Sequence, residues 1–335
     1  MSGKVTALDV AERAGVSRSA VSRVFTPGAS VSDKTAEKVR RAAEELGYRP
    51  NALARGLMTG RSRLIGLVVA KLDNQLYPQA LDLLSRRLAE EGYRVLVFLT
   101  SETLGDVDPI VDDILDYQVD GLILASVALS SDLGRRCRER GVPVVLFNRR
   151  LGTPGERTAV SDNHAGGRLA AAHLVGLGRR RIAHIAGWEG ASTQQEREAG
   201  FIEGLAEAGL ALADRAVADF DPGCAADAAR AMFAGPSRPD AVFVATDLMS
   251  FAVMDVLRCE MGLRVPDDVA VIGFDDVPAA GWPAYDLSTI GQDIAAMTER
   301  TVSLLLSAIG GRENPGVEPL AVKLVARSST LGSER

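Results

Sequence analysis

The chain has 335 residues, 47% of them apolar, with 38 Lys and Arg against 44 Asp and Glu, a formal net charge of −6. That length and apolar share allow two or three buried cores, and the composition sets aside a disordered, collagen-like or disulfide-stapled chain. No apolar run approaches the roughly 18 residues of a membrane span, and Met1-Ser-Gly-Lys-Val-Thr6 leads straight into a helical pattern, so a cytoplasmic protein with no signal peptide and no membrane partner is expected.

Charge is unevenly spread. Residues 1–63 hold twelve Lys and Arg against six Asp and Glu, a net of +6, which leaves −12 for the rest. The basic part suits phosphate and the acidic part does not. Within it, Thr6 to Phe25 reads as two short capped helices around a tight turn. Thr6 caps the first, Asp9 sits near its positive end, and Val5, Leu8, Val10 and Ala11 supply the apolar side before Gly15 ends it. Ser17 caps the second, with Ala20, Val21 and Val24 turned inward and Arg18, Ser19, Ser22 and Arg23 outward. Short hydroxyls and guanidinium groups on the front of such a helix suit base edges and phosphates in a DNA major groove. Any small helical hairpin carries charge outside; the third amphipathic helix over 31–48, capped by Ser32 and stopped by Gly47, completes a three-helix DNA-binding core.

The next segment, 49–63, opens with Pro50, which suits a first helical turn. Asn51 to Met58 could form about two turns, too few to be stable alone, and Gly56 costs about a further 1 kcal/mol relative to alanine. A helix here is expected to order only when something holds it.

From residue 64 short apolar runs alternate with helical segments: Leu64 to Ala70, Val95 to Leu99, Gly121 to Ala125, Pro143 to Phe147, Ala159 to Val160, Ile182 to Ala186, Ala241 to Ala245 and Val269 to Phe274. Continuous apolar strands between helices imply parallel sheets covered on both faces, and about 270 residues are too many for one, so two doubly wound subdomains with a cleft between them are expected. Leu287 to Ile290 and Leu320 to Val325 flank a long helix from about Gln292 to Ile309, and these strand pieces are expected to cross back to the first subdomain.

Ligands of open α/β sheets bind beyond the carboxyl ends of the strands. The residues just past the runs are Asp73 and Asn74, Ser126, Asn148 and Arg149, Asp162, Thr246 and Asp247, then Asp275 and Asp276. Carboxylates, amides and a guanidinium in one cleft suit the hydroxyls of a sugar or polyol, although Asp162 and Asp247 equally suit helix caps. Tyr77, Phe220, Trp188 and Trp282 could stack on a ring or serve as core and rim.

Catalysis is not expected. Asp275 and Asp276 are adjacent on a strand and so point to opposite sides, His164, His173 and His184 lack ligand spacing, and neither a Gly-x-Ser-x-Gly elbow nor a Gly-x-x-x-x-Gly-Lys loop occurs. Cys137, Cys224 and Cys259 are odd in number and widely spaced, which favours buried thiols over a metal or disulfide. No metal or cofactor is expected.

Several motifs together are specific: Asp9-Val-Ala with Ala14-Gly-Val-Ser17, Val21-Ser-Arg-Val24, Glu45-Leu-Gly-Tyr-Arg-Pro-Asn-Ala-Leu-Ala-Arg55, Asp162-Asn with Ala165-Gly-Gly-Arg168, Arg197-Glu-Ala-Gly-Phe201 and Gly273-Phe-Asp-Asp276. Through them nearly the whole chain resembles bacterial repressors of the LacI/GalR family. The resemblance implies a small all-α helix-turn-helix domain over 1–49, a hinge helix over 50–61, and an α/β periplasmic-binding-protein-like domain over 62–335. That last domain would hold two doubly wound parallel-sheet subdomains, the first about 62–161 plus 291–324 and the second about 162–290 plus 325–335. It implies that hinge helices fold in pairs on DNA with Leu57 as a minor-groove wedge, a sensible use of an apolar side chain because unstacking one step bends the duplex; packing of Leu57 against its symmetry mate is the plainer role, and the two are compatible. Asn51, Arg55 and Leu57 would complete a DNA-binding set with Thr6, Ser17, Arg18, Ser19, Ala20, Ser22 and Arg23. Arg197, opening a helix after a Ser192-Thr193 loop, and Asp275 would reach the ligand, face each other and pair when the site is empty. The full ligand set is then Asn74, Tyr77, Ser126, Asn148, Arg149, Thr193, Arg197, Phe220, Thr246 and Asp275.

The chain departs from the family pattern at Ala20, Gly56, Gln75-Leu76-Tyr77 and Thr246, where threonine, serine, a Pro-aromatic-aromatic run and asparagine are usual. The first two bear on DNA affinity and the others on the ligand. The expected function is a ligand-responsive regulator, a repressor acting as a homodimer on a pseudo-palindromic operator under a small polar effector such as a sugar. No leucine heptad in the last residues, Arg327 to Arg335, could join dimers into a tetramer. The alternative is a cytosolic solute-binding protein of the same α/β architecture, against which residues 1–60 speak.

Overall fold

The computed structural model describes residues 5–26, 29–49, 61–70, 72–100, 108–125, 136–137, 139–152, 154–313, 316 and 318–331. The chain divides into two compact units, Met1–Arg63 and Leu64–Arg335. Most of the expected hinge, with Asn51, Arg55 and Leu57, lies outside the described residues.

In the first unit α1 (Ala7–Ala14), α2 (Arg18–Val24) and α3 (Asp33–Leu46) start and stop where the capping chemistry predicts. Thr6 Oγ1 accepts from the Asp9 amide while the Asp9 carboxylate accepts from the Thr6 amide at 2.7 Å, a reciprocal capping box. Gly15 and Gly47 end their helices at φ 65° and 66°, a left-handed conformation that costs glycine nothing. Val10, Ala11, Val21, Val39, Ala42 and Ala43 form the core. Leu8 does not join it: Ala7, Val10, Ala11 and Ala14 share the inward stripe, and Leu8, one residue off that stripe, is 54% exposed.

The second unit contains two sheets. The first, in the order β2 (Arg94–Leu99), β1 (Leu64–Val69), β3 (Gly121–Ala125), β4 (Val144–Phe147), β5 (Thr158–Ala159), is wholly parallel. The second runs β11 (Lys323–Val325), β10 (Ser288–Gly291), β9 (Ala270–Asp275), β8 (Ala241–Val244), β6 (Ile182–Ala186), β7 (Asp214–Val217), with only β11 antiparallel. Alternate β1 side chains face different layers: Ile65, Leu67 and Val69 pack with Met297 and Leu305 on one side, and Val68 with Ile114 on the other. This two-sided burial is why the strands are continuously apolar.

Both terminal strand pieces stay in the second sheet, contrary to expectation. What crosses to the first sheet is the helix between them, Ile294–Ile309, because Met297, Val302, Leu304 and Leu305 complete that sheet's core. Beside it, a single bridge pairs Leu320 with Ser161 where the chain passes between lobes. β7 had no sequence signal, being a short edge strand with two charged residues and mostly exposed. None of the cysteines is in a disulfide; Cys137 is buried as expected, but Cys224 and Cys259 are exposed, the former in the first turn of the helix Pro222–Phe233. Among the described residues no helix is long and apolar enough to cross a membrane.

Candidate functional site

Between the lobes of the second unit lies a tight pocket of about 40 Å³, lined by Asp73, Asn74, Tyr77, Asn148 and Arg149 from the first lobe and Thr193, Arg197, Phe220, Thr246, Leu248 and Asp275 from the second. Nine of the ten residues expected at a ligand are therefore together; Ser126 lies outside the described residues. Trp188 is half-buried beside the cavity, under the Arg149 guanidinium at 5.5 Å, and Trp282 is exposed; neither lines it.

Arg197 sits within α7 (Ser192–Glu207), a turn and a half from its start, so Ser192 and Thr193 form the first turn rather than a loop. This helix lies against α6 (Asn163–Gly176) at a separation only glycine allows. A Cβ at Gly167 would strike the Arg197 carbonyl, and one at Gly200 the His164 carbonyl, which explains both glycine-bearing motifs. The Arg197 guanidinium is 2% exposed; Nε donates to Asn163 Oδ1 at 2.9 Å, Nη1 to the Ala245 carbonyl at 2.6 Å, and Nη2 lies 3.7 Å from Asp275 Oδ1. The Phe274 ring lies 3.6 Å beneath it. Burial lowers its pKa and Asp275 raises it; a guanidinium keeps its proton throughout.

Asp275 is held by four groups. Besides Arg197, its Oδ2 accepts from Asn74 Nδ2 at 3.0 Å and its Oδ1 from Gln292 Nε2 at 2.8 Å, while its backbone carbonyl accepts from the Gln292 amide at 3.3 Å. Burial raises its pKa, opposed by Arg197 and both amides. Its φ of 129° and the 58° of Asp276 are costly for residues with a side chain, and such strain persists where the surroundings impose it. Asp276 turns away to Arg327 at 2.7 Å, so the adjacent acids do divide between two environments.

Thr246 caps α9 (Asp247–Asp255), its Oγ1 accepting from the Met249 amide at 3.3 Å; the cap is therefore Thr246, and Asp247 is a fully buried first-turn residue instead. Asp162 does cap α6, as one of its two readings has it. Asp247 accepts from Thr289 Oγ1 at 2.6 Å and the Val277 amide at 3.0 Å, yet burial, with Asp275 nearby, pushes its pKa up to about 8. The folded carboxyl thus holds a proton that an unfolded one near 3.8 has released, so this group's stabilisation is complete below pH 3.8 and is lost as pH rises through about 8. Asp247→Asn, neutral at every pH, should flatten that decline in thermal unfolding between pH 5 and pH 8. A slope identical to wild type would contradict the assignment.

Amides and rings from both lobes complete the lining. Asn148, at φ 57° and 5% exposed, lines the cavity, and its Oδ1 has no hydrogen-bond partner among the described residues. Such an orphaned acceptor is costly unless something else donates to it. Phe220, also at φ 57°, is held with its ring against Gly187, where a Cβ would collide with it. Leu248 and Asp73 complete the lining; Leu248 escaped a search for polar strand ends because it is apolar, and Asp73 was legible as a strand end but not as a wall of the cavity.

In the first unit Arg18, Ser19 and Arg23 are exposed, whereas Ser22 and Ala20 are half-buried. Ser17 Oγ accepts from the Ala20 amide at 3.2 Å and shares a bond with Ser19 at 2.9 Å, and Thr6 is engaged with Asp9. Among the described residues no group of three or more His, Cys, Asp or Glu is arranged to hold a metal.

Residues 6–51 match the model of bacterial regulatory proteins of the lacI family, and 171–330 match a periplasmic binding protein-like domain. The chain is 35% identical over 330 residues to the HTH-type transcriptional regulator CelR of Thermobifida fusca, covering 96% of each. It is 30% identical over 335 residues to the HTH-type transcriptional regulator AscG of Escherichia coli (strain K12), covering 98% of this chain and 99% of that one. Among solved structures, the lac repressor dimer bound to operator and the anti-inducer ONPF superimposes with TM-score 0.87 at 31% identity, covering 98% and 99% of the two chains. The CelR–cellobiose complex follows with 0.71 at 32% identity, covering 97% and 99%.

Proposed function

The chain belongs to the lacI family of bacterial regulatory proteins, and from that premise we propose that it is a homodimeric repressor whose grip on a pseudo-palindromic operator is set by a small polar effector held between the lobes. The observation that carries the effector half is the convergence on one cavity of the Arg197–Asp275 pair, the partnerless Asn148 oxygen and the half-buried rings of Tyr77 and Phe220. Vicinal hydroxyls satisfy this set: each donates to a carboxylate or amide oxygen and accepts from a guanidinium, while a ring face covers the pyranose C–H groups. A sugar or sugar derivative is the class we assign. Cellobiose, bound by the similar CelR, is the first compound to screen, and Thr246, shorter than the asparagine usual there and without an amide's donor–acceptor pair, argues that common hexoses will not be preferred.

Mechanically, the effector changes the angle between the lobes, and the first lobes of the dimer carry that change to the hinge segments at 50–61, which order together on DNA only at one spacing. Coupling of this kind is commonly about 1–3 kcal/mol. The DNA-reading helix is α2. A thermal-shift screen of sugars, sugar acids, polyols and nucleobases tests the effector site, and the DNA half is tested by comparing the intact chain with residues 64–335. The intact chain should retain selected DNA from a random library and the shorter piece should bind effector only. An intact chain with ligand but no DNA affinity would favour the solute-binding alternative.

A further inference from the structure

Asn74 occupies both lobes at once. Its Oδ1 accepts from the Leu76 amide at 3.0 Å, which fixes the first turn of α4 (Leu76–Glu90) in the first lobe. Its Nδ2 donates at 3.0 Å to Oδ2 of Asp275, 201 residues away at the end of β9. Both partners are nearly sealed from water, Asn74 at 9% and Asp275 at 3% exposure. Two further hydrogen bonds join the same lobes: the Ala279 amide donates to Gln75 Oε1 at 3.1 Å, and the Arg150 amide to Ser192 Oγ at 3.0 Å. Leu76, Val277 and Ala279 form a small apolar cluster beside the first of these.

Of the inter-lobe hydrogen bonds described, the one from Asn74 is the one that ends on a buried carboxylate, and bonds to a charged group are roughly twice as strong as neutral ones. It ends, moreover, on the acid that walls the cavity. We propose that Asn74 is a latch between the lobes and an internal competitor for Asp275: its carboxamide holds the cleft shut, and a ligand hydroxyl reaching Oδ2 must displace it, releasing the start of α4 as it does so. The competition rests on the effector site assigned above; the latch does not. Asn74 thereby also selects among effectors, because only a ligand whose other contacts outweigh the amide bond can enter that position.

Two variants separate the latch from the helix cap. Asn74→Asp keeps an oxygen for the Leu76 amide but replaces the donor facing Asp275 with a second acid; Asn74→Ala removes both functions. Amide hydrogen exchange on the full chain, with no effector added, reads the two remaining inter-lobe bonds directly. In Asn74→Asp the amides of Arg150 and Ala279 should exchange about tenfold faster or more, with α4 protected as in wild type. In Asn74→Ala both the inter-lobe amides and the first turn of α4 should quicken. Wild-type protection of Arg150 and Ala279 in both variants would overturn the proposal, as would faster exchange confined to α4. A latch seen here with no ligand found in any screen would refute the effector site and leave the latch standing.

Discussion

Arg197→Met should lower the stability of the second unit by about 3–5 kcal/mol and abolish any effector response, the largest single-residue effect expected in this protein. Methionine approximates the apolar stem but supplies no charge and no donors. Asp275 is left as a buried carboxylate without its cation, and Asn163 Oδ1 and the Ala245 carbonyl each lose a donor. Asp275, already raised by burial, loses the charge that opposes that rise, so it should take up a proton at higher pH in the variant. Lysine would not rescue, because one ammonium cannot serve three acceptors arranged for a fork and cannot lie flat on Phe274. Urea unfolding followed on residues 64–335 measures the loss, and ligand titration of the folded variant measures the response. A loss below about 1 kcal/mol, or a response at wild-type concentrations, would show that Arg197 is not what holds this site.

The second large effect belongs to DNA reading. Arg18 opens α2 with an exposed side chain, while Ser17 and Thr6 have their hydroxyls engaged in caps. In the proposed function, reading is therefore assigned to the arginines more than to the short hydroxyls. A bidentate arginine–guanine contact is worth about 1–3 kcal/mol, so Arg18→Ala should cost that much at one position in each half-site and leave other positions unaltered. Binding of the variant to a panel of single-base operator changes distinguishes this from phosphate contact, for which every sequence would weaken alike and the salt dependence would drop. Ser17→Ala is a useful contrast: it removes a cap and should weaken α2 itself by about 1 kcal/mol.

Where the chain states its structure locally, the reading from residues was close. Thr6, Ser17 and Ser32 announce helices because each hydroxyl reaches an amide three residues on, and the strand ends are visible because an apolar run stops at a polar residue. The failures have tertiary causes. Leu8 was read as buried from its character, but the α1 stripe is set by which face meets α3. The destination of the helix Ile294–Ile309 depends on which sheet lacks a cover, something no local pattern records. Within the cavity, the polar wall was legible and its second layer was not. Gln292 and Asn163 orient Asp275 and Arg197 from elements distant in sequence, and Arg327 fixes the strained turn after Asp275 from near the end of the chain. Asn163 stands in a motif that the sequence shows but without a sign of its role, and nothing in the neighbourhoods of Gln292 and Arg327 marks them.

In the proposed mechanism one free energy links the inter-lobe cavity to DNA. Linkage requires the effect to be reciprocal: a compound that changes operator affinity by some factor must find its own affinity changed by the same factor when operator is bound. The decisive measurement is calorimetric titration of the compound giving the largest thermal shift into the intact protein, with and without saturating operator, beside operator affinity with and without the compound. We predict equal factors of about 5–150 in the two directions, both vanishing in Arg197→Met. A compound that binds the cavity tightly and leaves operator affinity unchanged would contradict the account.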